Sequence, residues 1–555
     1  MAAALVALAV VASWNGVLSG FTYDDKLIVE SNTAIDDLRH FWRFFGESYW
    51  PPVWGGDGYR PLTILAFSLE WAAGDGAPWV FHASNIALYA VASVALFYLA
   101  RTVLPLAAAW VGAALFAVHP LHVEAVGNVV GQSELLVAVF LLPAVTLYIR
   151  GRNANELGIG RMIAIGVLYA TAMLSKEHGI MLPAVLLAAE LIVVVDTTPI
   201  RARFVKLRPF VLSLIAIASA YLLAHAHISN EQLAGFHQYV PFSSNNVDSA
   251  GRAWTMFGVV PQWLRLFLYP ARLVAEYGPP EFPVATAFAL YQVPGMIILA
   301  AFIALVFIAR RKAPALSFGI AFALIALLPT SNFIVATGIL LSERTLFLPS
   351  AGVMIAVGCI VPWLYRHARS GPIQIAAAGA LVVVLIAGAS RSIDRTAVWK
   401  NNDALFEASV IDAPDVYRTH FMLGAWKFYL KRKREAEQHY QRAMGMYDRD
   451  PYVYYSLGQE YLNARMYRSA EPLFRKVLEI DSTIVEARAR LAMVLAEQDE
   501  WAEAESQALS TLSHPDTKSV HVMRSILRMA ATERKKVAAR AHDSTAAMPP
   551  PLTAK

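Results

Sequence analysis

Residues 286–330 read TAFALYQVPGMIILAAFIALVFIARRKAPALSFGIAFALIALLPT. Two apolar runs, 286–309 and 314–330, flank the cations Arg310, Arg311 and Lys312. A helix needs roughly 20 apolar residues to cross the hydrocarbon core of a bilayer. Within that core only helices and closed barrels satisfy every backbone polar group. The stretch therefore reads as a helical hairpin across a membrane, and the positive-inside tendency puts its basic turn in the cytoplasm.

The rest of the chain repeats the pattern. Of 555 residues, 57% are hydrophobic and 16% charged, whereas soluble domains carry about 25% charge. Further apolar runs fall at 1–20, 83–100, 105–118, 130–149, 161–174, 179–195, 210–226, 346–364 and 373–390. Basic groups separate them: Arg150, Arg152 and Arg161; Arg201, Arg203, Lys206 and Arg208; Arg366 and Arg369. Counting from a cytoplasmic N-terminus, eleven spans place every group inside. The condition is that residues 254–270, WTMFGVVPQWLRLFLYP, re-enter or lie in the interface, which Pro261 and Arg265 favour. Residues 1–20 lack a basic leader region and a small-residue cleavage site before Trp14, so they are expected as a retained first span. The count then leaves the loops 21–82, 119–129, 175–178, 227–253 and 331–345 outside, together with residues 391–555. The net charge of +5 is spread thinly and gives no reason to invoke nucleic acid. The single cysteine, Cys359, permits no intramolecular disulfide, so any outer domain must be held by packing.

After the last span, positions recur every 34 residues: Leu423, Leu457 and Leu491; Gly424, Gly458 and Ala492; Ala436, Ala470 and Ala504; Tyr440 and Phe474. Small residues at fixed places in a 34-residue period are the tetratricopeptide pattern, because they let paired helices approach closely. The expected fold is all-α: a polytopic membrane domain (1–390, with outer loop 21–82), a linker (391–412), an α-solenoid of repeats (413–530) and a tail (531–555) whose residues 541–555 read as disordered. The repeats would offer an extended polypeptide a groove, or would only cap the membrane domain.

Chemistry-bearing residues gather in the outer loops. FTYDDKLIVESN, residues 21–32, sets Asp24 beside Asp25. One of two neighbouring carboxylates can act as a general base while the other orients a partner; the plainer reading is an acidic pair at a helix end with Lys26. Arg60 lies in the same loop, Lys176 and Glu177 in LSKEHG, and Glu343 and Arg344 in LLSERTLFLPS. Cations at the outer face need a partner there. A lipid phosphate would serve all three, and local pairs Lys176–Glu177 and Arg344–Glu343 are the alternative. AVHPLHVEAVGNVVGQSELL adds His119, His122 and Glu124. His122 and Glu124, two apart, point to different sides of a helix, which argues against a metal. Hydrogen bonding to a phosphate or sugar, or capping of a helix starting at Pro120, remains.

In the same order, FTYDDKLIVESN, YRPLTILAFSLEW, FHASNIALYA, HPLHVEAVGNVVGQSELL, LSKEHGIMLP, WLRLFLYPARLVAEY and SERTLFLPSAG, followed by the repeats, resemble the transmembrane and tetratricopeptide-repeat-containing O-mannosyltransferases over nearly the whole chain. That resemblance implies the C-type glycosyltransferase fold and a dolichyl- or undecaprenyl-phosphate sugar as donor. It also implies inverting transfer to Ser or Thr hydroxyls of proteins, and no metal or other cofactor. By motif position, Asp24 or Asp25, with Asp24 preferred, is the catalytic base. Arg60, Lys176 and Arg344 hold the donor phosphate, with His119, His122, Glu124, Glu177 and Glu343 around donor and sugar. The Ala-rich, short-looped chain reads as bacterial, which implies an inner-membrane enzyme facing the periplasm; a eukaryotic member would face the endoplasmic reticulum lumen. The rival readings are a non-catalytic membrane scaffold whose repeats recruit envelope or secretory proteins, and a transporter or flippase. Transporters place charges near the bilayer midplane, whereas here they cluster at one face. Within the enzyme class a lipid or glycan acceptor is the alternative to protein.

Overall fold

The computed structural model of the protein describes residues 1–51, 58–232, 242, 247–337, 339–367, 371–513 and 520–546. Among them the secondary structure is helical, and the sole extended pairing is an isolated bridge between Pro280 and Val416. The chain forms two compact units, one of Met1–Leu233 with Val240–Thr419, the other containing His420–Lys555.

In the first unit six described helices are long and apolar enough to cross a membrane: Pro78–Ala100, Val129–Asn153, Ile200–Ile228, Leu290–Ala309, Glu343–His367 and Gly371–Val398. Leu106–Ala117 and Pro120–Gly127, bent by 50° at the break, make a seventh if they form one broken span. The expectation of eleven full spans is therefore met by six or seven. The other apolar runs form shorter helices, Ala2–Leu18, Ile159–Ser175, Pro314–Thr330 and Leu182–Ile192. The last is short because a tight 3-10 turn, Glu177–Met181, takes up the start of its run. Residues 249–268 form a helix, Ser249–Leu268, capped by the Asp248 carboxylate on the Gly251 amide at 2.7 Å. That helix is not among the span-forming ones; it buries Met256, Val259, Val260, Trp263 and Leu266.

Small residues set the packing, as is usual where lipid supplies no hydrophobic drive between helices. Pro314–Leu327 and Phe347–Gly358 cross at Gly319 and Gly352. A Cβ on either glycine would fall 2.4–2.6 Å from the other's carbonyl oxygen. Ala108, Ala109, Ala113, Ala114 and Ala117 pack in the same core.

The second unit is a run of helices that includes Lys433–Met446, Pro451–Asn463, Tyr467–Ile480, Val485–Glu497 and Trp501–Leu512, ending in Val520–Ala546. Equivalent positions of the 34-residue period have equal environments. Leu423, Leu457 and Leu491 are buried, as are Ala436, Ala470 and Ala504, and the rings of Tyr440 and Phe474. A Cβ on Gly424 would lie 3.0 Å from the Tyr440 ring, and one on Gly458 would lie 3.1 Å from the Phe474 ring. Lys431, Arg465 and Asp499, again 34 apart, all hold left-handed φ values of 60°, 56° and 64° at the turns between helices. The last helix runs to Ala546, into the segment expected to be disordered; residues 547–555 lie outside the described ones.

Candidate functional site

Asp24 and Asp25 are neighbours with different fates. The Asp25 carboxylate is fully buried and accepts three backbone amides, Thr22 at 3.2 Å, Val129 at 3.2 Å and Val130 at 2.9 Å. It thereby fastens the loop after the first helix to the 3-10 turn Val129–Gly131, from which the helix Gln132–Asn153 continues. Burial pushes its carboxyl up to about 7 against the three amides, which favour the anion. Asp24 reaches across the fold instead. Its Oδ2 accepts both terminal nitrogens of Arg344, at 3.0 and 3.1 Å, and no hydrogen bond from a described residue reaches Oδ1. Burial raises the Asp24 carboxyl above its ordinary range, and the Arg344 guanidinium works against that rise. Tyr23, just before it, adopts a left-handed φ of 53°, a conformation that costs a bulky residue energy unless its surroundings hold it.

Arg344 is itself clamped. Its Nε lies 3.6 Å from Glu124 Oε1, while its backbone amide donates to Glu124 Oε2 at 2.9 Å and Ser342 Oγ donates to Oε1 at 2.7 Å. Glu343 faces elsewhere, because adjacent residues of the turn Glu343–Leu346 diverge: its Oε1 accepts the Val274 amide and the Tyr277 hydroxyl. The local pair Arg344–Glu343 is therefore not formed. Nor is Lys176–Glu177. Lys176 Nζ donates to Glu134 at 2.5 Å, with His178 Nδ1 at 3.1 Å on the same carboxylate, and Arg60 Nε binds Glu177 at 3.0 and 3.2 Å. Burial lowers the Lys176 ammonium, which also feels the positive charges of Arg60 and Arg344. Burial alone would raise Glu177, but Arg60 overrides it and holds the carboxyl at about 2. Asp24, Arg60, Lys176, Glu177 and Arg344 thus share one electrostatic neighbourhood.

The histidines are committed internally. His119 Nδ1 accepts the Leu121 amide at 3.3 Å, capping the turn Pro120–His122, and its Nε2 donates to the Phe267 carbonyl at 3.1 Å. His122 meets the Tyr89 hydroxyl at 3.0 Å and Ser350 Oγ at 2.8 Å. Among the described residues no group of three or more His, Cys, Asp or Glu side chains is arranged to hold a metal ion.

Several site residues were not singled out from the sequence. Glu276 accepts the Tyr23 hydroxyl and two nitrogens of Arg418, at 2.8 and 3.5 Å, and its charge raises the carboxyl of Asp24. Glu134 gives Lys176 its partner, and Tyr49 lies under Arg60. Glu276 sits in WLRLFLYPARLVAEY and Glu134 in HPLHVEAVGNVVGQSELL, strings whose spacing marks neither residue, and Tyr49 lies in none of the matching strings.

A bundle of apolar helices topped by paired carboxylates and guanidiniums defines an all-helical, multi-pass membrane protein. Its homologues are protein O-mannosyl-transferases of the TMTC family. The mouse protein O-mannosyl-transferase TMTC3 is 24% identical over 496 residues, 84% of this chain and 53% of the relative. F38B6.6 of Caenorhabditis elegans, also named a protein O-mannosyl-transferase, is 23% identical over 79% of this chain and 62% of its own length. Tmtc2 of Drosophila melanogaster reaches 36% over 185 residues, 31% of this chain and 20% of that protein. The chain spans about half the length of the curated relatives it matches. No family model matches it, and no solved structure matches it.

Proposed function

We propose that the chain is a membrane glycosyltransferase that moves a sugar, mannose by its relatives' names, from a polyprenyl-phosphate donor to Ser or Thr hydroxyls of exported proteins. The observation that carries this reading is the divided carboxylate of Asp24: one oxygen held by Arg344, the other uncommitted among the described residues. A base must be oriented and yet have a lone pair to offer. The acceptor hydroxyl gives its proton to Asp24 Oδ1 as its oxygen attacks the anomeric carbon. The bond from that carbon to the phosphate oxygen breaks on the opposite face, so the configuration inverts. The lipid phosphate leaves with the bonding pair, and fixed cations stabilise the charge collecting on it. Arg60 suits that task, since Glu177 claims only its Nε among the described contacts and Tyr49 supports its plane.

The finer architecture follows from the same reading. The short apolar helices complete an eleven-span bundle of the C-type glycosyltransferase kind, with the site on the outer face, periplasmic in a bacterial host. The C-terminal unit is a tetratricopeptide solenoid that presents acceptor or partner proteins. The non-catalytic scaffold stays as the second reading, favoured by the internal carboxylate partners of Arg60, Lys176 and Arg344. The test is transfer from polyprenyl-phosphate mannose to a Ser/Thr peptide by purified protein, read as glycopeptide mass. Wild type is expected to add a hexose and D24N to fail by about 10²–10⁴-fold, the usual worth of a general base. Equal activity in D24N would remove the reading.

A further inference from the structure

Tyr49 is 2% exposed, touches Arg60 and lies in the fields of Arg60 and Arg344. Its backbone amide donates to the Gly58 carbonyl at 2.8 Å. Over the ring face lies the Arg60 guanidinium, 4.5 Å from the centroid, a cation–π contact that orients Arg60 while Glu177 holds its Nε. The hydroxyl, however, is buried and has no hydrogen-bond partner among the described residues. A buried hydroxyl without a partner is destabilising, and such a group in a native fold calls for a ligand or water that completes it. The charges acting on that hydroxyl include two cations, Arg60 and Arg344, and the carboxylates Asp24 and Asp25. Tyrosine brings an O–H donor. A buried O–H donor within reach of the fields of Arg60 and Arg344 suits an anion with acceptor oxygens.

We propose that the Tyr49 hydroxyl is a hydrogen-bond donor to the phosphate of the lipid-linked sugar, making Tyr49 a donor-binding residue that shares this anion with Arg60. The inference rests on the proposed transferase reading for the identity of the anion. Tyr49 has two separable functions: the ring supports Arg60, and the hydroxyl contacts phosphate. Substituting Phe keeps the first and deletes the second.

The test uses full-length protein in lipid nanodiscs, with Y49F and Y49A beside wild type, and polyprenyl phosphate as the probe, read by the ligand-induced rise in melting temperature and by direct titration. Y49F is expected to melt at or above the wild-type temperature without ligand, since a buried unpartnered hydroxyl has been removed. It is expected to bind polyprenyl phosphate about tenfold more weakly and to raise KM for the donor with kcat little changed. Y49A, which also loses support for Arg60, falls further. Inorganic phosphate at equal concentration separates a lipid-borne phosphate from a free one; equal protection of wild type by it overturns the lipid assignment. Wild-type affinity in Y49F overturns the inference while leaving the transferase reading in place. A wild type that binds the probe and loses it in Y49F, yet transfers no sugar, retires the reaction and supports the site.

Discussion

The ion pairs at the candidate site differ from those of the second unit. In the second unit most are exposed and often pair a turn apart on one helix: Arg432 with Glu435, Arg475 with Glu471, Lys476 with Glu479. In the first unit the site's pairs are part-buried and reach across the chain, Arg344 with Asp24 at a separation of 320 residues, Arg418 with Glu276 at 142 and Arg60 with Glu177 at 117, whereas pairs away from the site, such as Lys26 with Glu30 and Arg43 with Glu47, are exposed and local. Exposed neighbours contribute little. Buried pairs carry a large desolvation cost and often return no net stability. A fold that concentrates such pairs at the ends of apolar helices is maintaining charge for a use other than stability, which is why the first unit is the place to look for chemistry.

That contrast can be broken at graded sites. R344A leaves the buried Glu124 and the part-buried Asp24 without their shared cation, and the expected loss is about 3–5 kcal/mol of stability together with transfer activity, measured by thermal melting and glycopeptide mass. A fall of under about 1 kcal/mol would place Arg344 with the surface charges. G458A drives a Cβ to 3.1 Å from the Phe474 ring; overpacking of this kind costs about 1–3 kcal/mol, and circular dichroism on melting the full chain should show it. The pH profile sharpens the comparison. Burial raises the Asp24 carboxyl, and a base works only when ionised. Activity is therefore present above the raised pKa and lost as pH falls through it, so the acid limb of kcat/KM lies above the ordinary Asp value of about 3.9. A limb at or below that value contradicts a buried base. R475A, which removes exposed pairs to Glu471 and Glu503, is expected to change stability by no more than about 1 kcal/mol.

How much was readable in advance divides along the same line. The long spans were legible because twenty apolar residues in a row have few other fates, and the 34-residue period because burial of Leu457, Ala470 and Phe474 demands residue types that recur. Half-length helices such as Leu182–Ile192 were less so: an apolar run does not reveal where a 3-10 turn will interrupt it. The left-handed turns at Lys431, Arg465 and Asp499 carry no glycine to announce them. At the site, sequence brought forward Asp24, Arg60, Lys176 and Arg344 but assigned two local pairs as the alternative. The real partners, Glu134 for Lys176 and Glu124 with Asp24 for Arg344, are set by tertiary packing between segments far apart in the chain. Two adjacent aspartates look identical in a string; the amides of Thr22, Val129 and Val130 on Asp25 and the Arg344 guanidinium on Asp24 distinguish them.

That distinction is the central claim, and a crossed experiment on it is the most direct test. D24N and D25A are each assayed for melting temperature and for hexose transfer per folded molecule. D24N is expected to melt close to wild type and to transfer at most about a hundredth as much sugar. D25A, with three backbone amides left unpaired in the interior, is expected to lose about 3 kcal/mol or more of stability, and the molecules still folded to retain measurable transfer. The reverse pattern, an active D24N beside a stable but inactive D25A, would contradict that claim.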